Sequence, residues 1–244
     1  MNEAAYSQEE LLIAVLARRL RGMGHIAVGA LSPIPGSAAL LAQAQEVAGE
    51  MRVSIIHGDA NNPFTDGGRE LFDCAGQGRI DAFFLGGAQI DGGANINLLG
   101  VGDYPDLKKR FPGSFGSAYV YFVIPNIILF APEHSKRVLV NKVDFISAPG
   151  TSDAGVHRPG GPKALVTGKC VMAFDADKKR FTLESVHPGV SVDEVKGATG
   201  FDFDVDDDVP ETPAPTADEL NRLRAEIAPN IAKTYPDFAK RVFG

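Results

Sequence analysis

Two stretches hold residue types that can do chemistry. The first begins as an apolar run, residues 80–85, and breaks into Gly86 and Gly87. Small or amide side chains follow at Ala88, Gln89, Asn95 and Asn97. A strand that ends in glycines presents bare backbone N–H groups at the carboxyl end of a sheet, where open α/β sheets bind ligands. Glycine lets a ligand approach the main chain closely. The N–H groups suit a carboxylate, phosphate or thioester oxygen. A tight turn followed by a solvated loop is the competing reading of the same residues. The second stretch is His57, at the end of an expected strand over residues 52–56, with Asp59 two positions on. An imidazole there acts as a base or hydrogen-bond donor, or only satisfies loop backbone.

Other nucleophile and metal patterns are missing. The chain has no Gly-x-Ser-x-Gly, no phosphate loop ending Gly-Lys-Ser/Thr, no His-Glu-x-x-His and no Cys-x-x-Cys. Cys74 and Cys170 stand far apart and read as reduced, buried thiols. His25 closes a helix–strand turn. His134 and His187 sit beside turns and read as structural or exposed, and His157 lies in a Gly/Pro-rich loop, residues 154–162, that is a flap or simply solvated. The acidic run 202–208 lacks the glycine and distal glutamate of a calcium loop, so it reads as a solvated edge.

The elements that must position these residues follow from periodicity and caps. Ser7 and Glu10 form a capping box ahead of Leu11, Leu12, Val15, Leu16 and Leu20 at helical spacing. Arg18, Arg19 and Arg21 either complement that helix's dipole or grip a phosphate. A strand at 26–30, a loop at 31–36, an alanine-rich helix at 37–47, a strand at 52–56, a short helix at 69–75 and the strand at 80–85 follow. That alternation predicts an α/β fold with an open, mostly parallel sheet and helices on both faces. Further on, strands are expected at 119–123, 127–130, 137–146, 170–174 and 180–186, with an edge strand in 201–209. Ser191 with Glu194 and Thr216 with Glu219 are further capping boxes, and Pro229 is expected to stop the last helix. These signals divide the chain into an α/β domain over 1–209, a proline-rich linker over 210–215 and a helical tail over 216–244.

The chain has 244 residues, 44% hydrophobic and 23% charged, which suits a globular α/β domain. A net charge of −7 argues against nonspecific nucleic-acid binding. No apolar run approaches the roughly 20 residues of a membrane helix. The first residues lack the basic-then-apolar build of a signal peptide, so a cytoplasmic protein is expected.

The order of these pieces resembles the β subunit of heteromeric class I CoA-transferases, glutaconate CoA-transferase above all. The resemblance rests on Gly86-Gly87-Ala88-Gln89-Ile90-Asp91 with Asn95-Ile96-Asn97 and Gly102-Asp103-Tyr104. It continues at His134-Ser135-Lys136-Arg137-Val138, running into Asn141-Lys142-Val143-Asp144-Phe145-Ile146-Ser147-Ala148-Pro149-Gly150. Val186-His187-Pro188-Gly189 and Thr199-Gly200-Phe201-Asp202 extend it over nearly the whole chain. It implies an α-type partner subunit, an acyl-CoA thioester as substrate and no tightly bound cofactor. Gly86 and Gly87 would lie near the thioester, with Ala88, Gln89, Asn95 and Asn97 shaping the pocket.

In such transferases a β-subunit glutamate, on the loop after the strand matching residues 52–56, attacks the thioester to give an anhydride and then an enzyme-bound CoA thioester. Here that place reads Ile55-Ile56-His57-Gly58, and the loop onward to Gly86 is shorter. Asp59 or Asp66 could replace the glutamate from a shifted loop. The ring-opening hydrolases of bacterial steroid degradation resemble this chain in lacking the glutamate. The resemblance therefore implies CoA transfer between carboxylic acids, hydrolysis of acyl-CoA or of a ring C–C bond, or a scaffold subunit that binds acyl-CoA without turning it over.

Overall fold

The computed structural model describes residues 5–46, 49–58 and 60–244. Asp59 and Val47, expected in a loop and at a helix end, lie outside the described residues. The chain forms two compact units, 1–84 with 213–244, and 85–212.

In the first unit α1 (Gln8–Arg19) begins at the expected capping box, with Ser7 and Glu10 each bonded to the other's backbone N–H. β1 (His25–Val28) leads to α2 (Pro33–Gln45), β2 (Arg52–Ile55), α3 (Gly67–Gly76) and β3 (Ala82–Leu85). α2 starts four residues earlier than expected, because Pro33 and Pro35 are tolerated in a first turn where the backbone N–H has no helical acceptor. β1 lies between β2 and β3, parallel to both, with Val28 opposite Ile55 and Ile26 opposite Ala82. The core is aliphatic: Leu12, Ile13, Leu16, Ile26, Leu41 and Ile55 are fully buried.

The tail belongs to this unit. α6 (Ala217–Arg222) starts at the expected Thr216–Glu219 box. A π-helical turn (Leu223–Ile227), α7 (Ala228–Ile231) and α8 (Pro236–Phe243) follow. Pro229 therefore does not stop the helix. The π-turn moves the hydrogen bonding back one residue, so that Ala228 N–H donates to Leu223 O, and the proline falls in a new first turn. Two buried carboxylates tie the tail to α1: Arg18 Nη2 lies 2.6 Å from Glu219 and Arg224 Nε 2.7 Å from Glu10.

The second unit holds two small antiparallel ribbons, β4 (Gln89–Ile90) with β5 (Ile96–Asn97) and β6 (Gly100–Val101) with β7 (Lys109–Arg110). α4 (Ser117–Val123) precedes β8 (Asn126–Ala131), β9 (Pro162–Thr167), β10 (Cys170–Asp175) and β11 (Arg180–Val186). α5 (Val192–Ala198), at its Ser191–Glu194 box, and β12 (Asp204–Val205) complete it. β8 and β9 are parallel, β9–β10–β11 antiparallel, and β11–β12 parallel.

Three stretches differ from the expected elements. Residues 119–123 form a helix rather than a strand: Gly116 caps it in the left-handed region, and Tyr121 is fully buried with its hydroxyl on Ala94 O at 2.7 Å. Burial of that ring overrides the β preference of a Tyr-Val-Tyr-Phe-Val run. Residues 137–146 form turns, not a strand, and touch the ribbon through an isolated bridge at Leu139. The run 201–209 is strand only at Asp204–Val205, since the neighbouring aspartates are solvated.

Candidate functional site

β1 and β2 are neighbours, and their exits are alike. Leu31, past β1, has φ 57° and is 89% exposed. His57, past β2, has φ 63° and is also exposed. Left-handed backbone costs a non-glycine residue about 1–2 kcal/mol. Such residues persist where the surroundings over-determine them, commonly at functional sites. At His57 the surroundings are clear. Gly58 N–H donates to Ile55 O at 3.1 Å, Asn61 N–H to Gly58 O at 3.1 Å, and Ile55 N–H to Asn61 O at 2.8 Å. A Cβ on Gly58 would lie 3.0 Å from Thr234 Oγ1 and 3.2 Å from Ile55 O, so a larger residue there would crowd the turn. The backbone folds inward and the His57 side chain stays outside. Asp66 precedes α3, is exposed and pairs with Arg69.

In the second unit the glycine motif is a hydrogen-bonded frame. A Cβ on Gly86 would lie 2.8 Å from Phe130 O, and one on Gly87 2.9 Å from Gln89 O. The glycines admit the protein's own backbone. Ala88 N–H donates to Asn97 O at 2.9 Å. Gln89 Oε1 accepts from Asn97 Nδ2 at 2.7 Å and from Asp144 N–H at 2.9 Å. Asn97 Nδ2 also donates to Gly100 O at 2.6 Å, and its Oδ1 accepts from Leu99 N–H at 3.0 Å. Asn95 donates to Asp91 at 3.0 Å and accepts from Gly150 N–H at 3.1 Å. Gln89, Asn95 and Asn97 are thus brought together with the 141–150 segment.

Sequence reasoning missed Asp91. Its carboxylate accepts from the N–H groups of Gly93 and Asn95, both at 3.1 Å, and of Val143 at 3.4 Å. The signal was an aspartate followed by two glycines, the pattern of a side chain that closes its own turn. Ile90 exchanges backbone bonds with Val138 and Val140, and Ile96 with Ser147 and Ala148. The two longest motifs of the resemblance are therefore one interlocked object. Beside it lies an open cleft of about 330 Å³, with Asn95 and Asp91 on one wall and Lys179 and Arg180 on another.

Both cysteines are free and buried, and burial pushes the Cys170 thiol up to about 12. His134 and His187 are buried, and His157 is exposed. His25 begins β1, its ring bonded to Arg79 O at 2.9 Å and Ser54 Oγ at 2.8 Å. Among the described residues no cluster of three or more His, Cys, Asp or Glu could hold a metal, and no helix is long and apolar enough to cross a membrane.

The fold is of the open-sheet α/β class, in which ligand sites lie at the carboxyl ends of strands. More narrowly, the chain belongs to the coenzyme A transferase family, whose model matches residues 10–198. Its relatives place it among the B subunits. It is 33% identical to the B subunit of 3-oxoadipate CoA-transferase from Pseudomonas knackmussii, over 91% of this chain and 94% of that one. It is 38% identical to the B subunit of glutaconate CoA-transferase from Acidaminococcus fermentans, over 61% of this chain and 58% of that one. The crystal structure of that transferase superposes with a TM-score of 0.80, covering 94% of this chain and 97% of the other at 26% identity. The IpdB subunit of the cholesterol ring-cleaving hydrolase of Rhodococcus jostii is 27% identical over 66% of this chain and 64% of that subunit. The IpdAB structure matches in fold, with a TM-score of 0.81 at 22% identity over 99% of this chain and 100% of that one.

Proposed function

We propose that this chain is the B-type subunit of a heteromeric enzyme that moves coenzyme A between carboxylic acids, with His57 in the place of the transferases' nucleophilic glutamate. The observation that carries this reading is the exposed His57 side chain on a left-handed turn at the carboxyl end of β2. The whole-length likeness to a 3-oxoadipate CoA-transferase subunit supports transfer as the reaction. The subunit names of the relatives support an α-type partner.

In this reading His57 adds through a ring nitrogen to the thioester carbonyl. The C–S bond breaks, CoA leaves as thiolate, and an acyl-imidazole forms. An acceptor carboxylate then displaces the imidazole to give a mixed anhydride, which the thiolate opens to the new thioester and the free donor acid. Gly86 and Gly87, with Ala88, Gln89, Asn95 and Asn97, keep their proposed part in binding acyl-CoA as a backbone frame, since the amide side chains are held by one another and by residues 144–150.

Hydrolysis is the second reading, favoured by the imidazole itself and by the likeness to a ring-cleaving hydrolase subunit. An acyl-imidazole is readily attacked by water, and an imidazole can also take the proton of an attacking water directly.

The test uses the chain copurified with its α-type partner. The pair is incubated with acyl-CoA, with and without acceptor acids, and every CoA species is followed by mass spectrometry. New acyl-CoA that requires the acceptor supports transfer. Free CoA or a ring-opened thioester independent of the acceptor supports hydrolysis and overturns transfer. Full turnover in His57→Ala removes His57 from either mechanism. A His57→Glu variant that gains borohydride-sensitive CoA, where wild type has none, shows that wild type runs without a CoA-enzyme thioester at this position.

A further inference from the structure

The carboxyl-terminal tail reaches both strand exits of the first unit. Asn230 Oδ1 accepts from Asn61 Nδ2 at 3.1 Å, holding the loop after β2. Tyr235 OH accepts from Ser32 N–H at 3.4 Å, at the loop after β1. A Cβ on Gly36, in the first turn of α2, would lie 3.2 Å from Ile231 Cδ1 and 4.0 Å from the Tyr235 ring. Between these contacts Thr234 sits on the elbow itself. Its Oγ1 and Cγ2 lie 3.0 and 3.4 Å from the position a Gly58 Cβ would occupy.

Thr234 Oγ1 is buried and has no hydrogen-bond partner among the described residues. A buried hydroxyl without a partner is unfavourable, so hydrogen bonding within the described chain does not explain why a threonine fills this space. Its position does: it packs against Gly58, the residue that follows His57 in the left-handed turn. The segment lies beyond residues 10–198, the span matched by the family model.

We propose that Thr234 is a positioning residue for His57. It wedges the turn at Gly58, and the tail holds Thr234 in place through contacts that do not involve it. Those anchors are Glu219 on Arg18, Glu10 on Arg224 and Asn230 on Asn61. Thr234 variants therefore keep the tail docked, and their effect is local. With the wedge removed, the elbow relaxes and the imidazole samples a wider range of directions. The positioning role rests on the assignment of His57 to the chemistry, and its test carries a readout independent of turnover.

The variants are Thr234→Ala, which removes the wedge, and Thr234→Ser, which shortens it and keeps the hydroxyl. In the assembled enzyme the His57 imidazole resonances are assigned by their loss in His57→Ala. Turnover of acyl-CoA is measured on the same samples. Thr234→Ala is expected to shift and broaden the His57 resonances and to lower kcat about tenfold with KM unchanged, the pattern of a misaimed reacting group. Thr234→Ser is expected to recover most of both. Unmoved His57 resonances in Thr234→Ala, or a raised KM at unchanged kcat, overturns the positioning role. Full turnover in His57→Ala would overturn the mechanistic reading instead, and the resonances would still decide whether Thr234 sets the elbow.

Discussion

The hydroxyl of Thr167 lies 2.8 Å from Nδ1 of His134, at the centre of a buried polar cluster. Thr167 Oγ1 accepts the N–H groups of Lys169 and Cys170, both at 3.1 Å, and its own proton has two acceptors in reach, His134 Nδ1 at 2.8 Å and Cys170 O at 3.3 Å, of which His134 is the nearer. On the other side of the ring, Thr199 Oγ1 donates to Val195 O at 2.8 Å and must accept from His134 Nε2–H at 2.9 Å. Burial favours the neutral imidazole, and the Thr199 bond puts its proton on Nε2. His187 repeats the pattern: Nε2–H donates to Thr167 O at 2.9 Å, and Nδ1 lies 3.0 Å from Thr212 Oγ1.

Acid should open this cluster. Burial lowers His134 to about 4, and burial also lowers His187. Below the free-histidine value near 6.5, the unfolded chain takes up protons that the folded chain refuses, so stability falls with pH. The contribution is complete above about pH 6.5 and is lost down to about pH 4. For His134 it amounts to about 3 kcal/mol, at ~1.4 kcal/mol per pKa unit. Urea unfolding between pH 7 and 4 should show this slope. His134→Gln should be less stable at pH 7 and show a shallower pH dependence; an unchanged slope refutes the account.

Asn97→Asp is an isosteric change that should unfold the glycine-motif frame. Asn97 is fully buried, and its Nδ2 donates to Gln89 Oε1 and Gly100 O. A carboxylate there would face two acceptors with no donor of its own. The cost should be at least about 3 kcal/mol, the scale of a buried unpaired charge. Chemical denaturation measures it, and a loss under about 1 kcal/mol would show that the frame rearranges freely.

The tail clasp should matter far more than surface ion pairs. Glu219 and Glu10 are buried, each bonded both to its own helix cap and to an arginine from the other helix. Burial acts to raise both carboxyls, but the arginine and cap bonds outweigh it and leave them below the usual range. Arg18→Ala should cost about 3 kcal/mol, because it strips a buried carboxylate of its main partner. Arg137→Ala breaks the exposed pair with Glu133 and should leave the melting temperature unchanged. Equal effects from the two variants would contradict the clasp.

What was legible in the sequence was local. The boxes at Ser7, Ser191 and Thr216 each begin a helix because cap and acceptor lie three residues apart. The parallel strands of the first unit and the place of His57 after β2 followed from apolar runs and their ends. The roles of Gln89, Asn95 and Asn97 were hidden, because Asp144 and Gly150 lie about 55 positions along the chain. The same distance effect hid Thr234 from His57 and the Ala94 carbonyl from Tyr121, whose burial turned an expected strand into α4. Pro229 misled because the π-turn that accommodates it leaves no signal in hydrophobic periodicity.

Replacing His57 by glycine should stabilise the protein while ending its activity. At φ 63° a histidine carries strain that glycine does not, about 1–2 kcal/mol. Glycine returns roughly half of that as unfolded-state entropy. The imidazole is exposed, so its removal deletes no core contact. The net gain should be about 0.5–1 kcal/mol, seen as a melting temperature a few degrees higher. Leu31→Gly makes the same backbone change at φ 57° and also removes an exposed side chain, so its stability gain should be similar. Turnover separates the two positions, since loss is required at His57 and not at Leu31. If His57→Gly is instead less stable than wild type, the left-handed turn is held by contacts of the imidazole itself, and the histidine is structural.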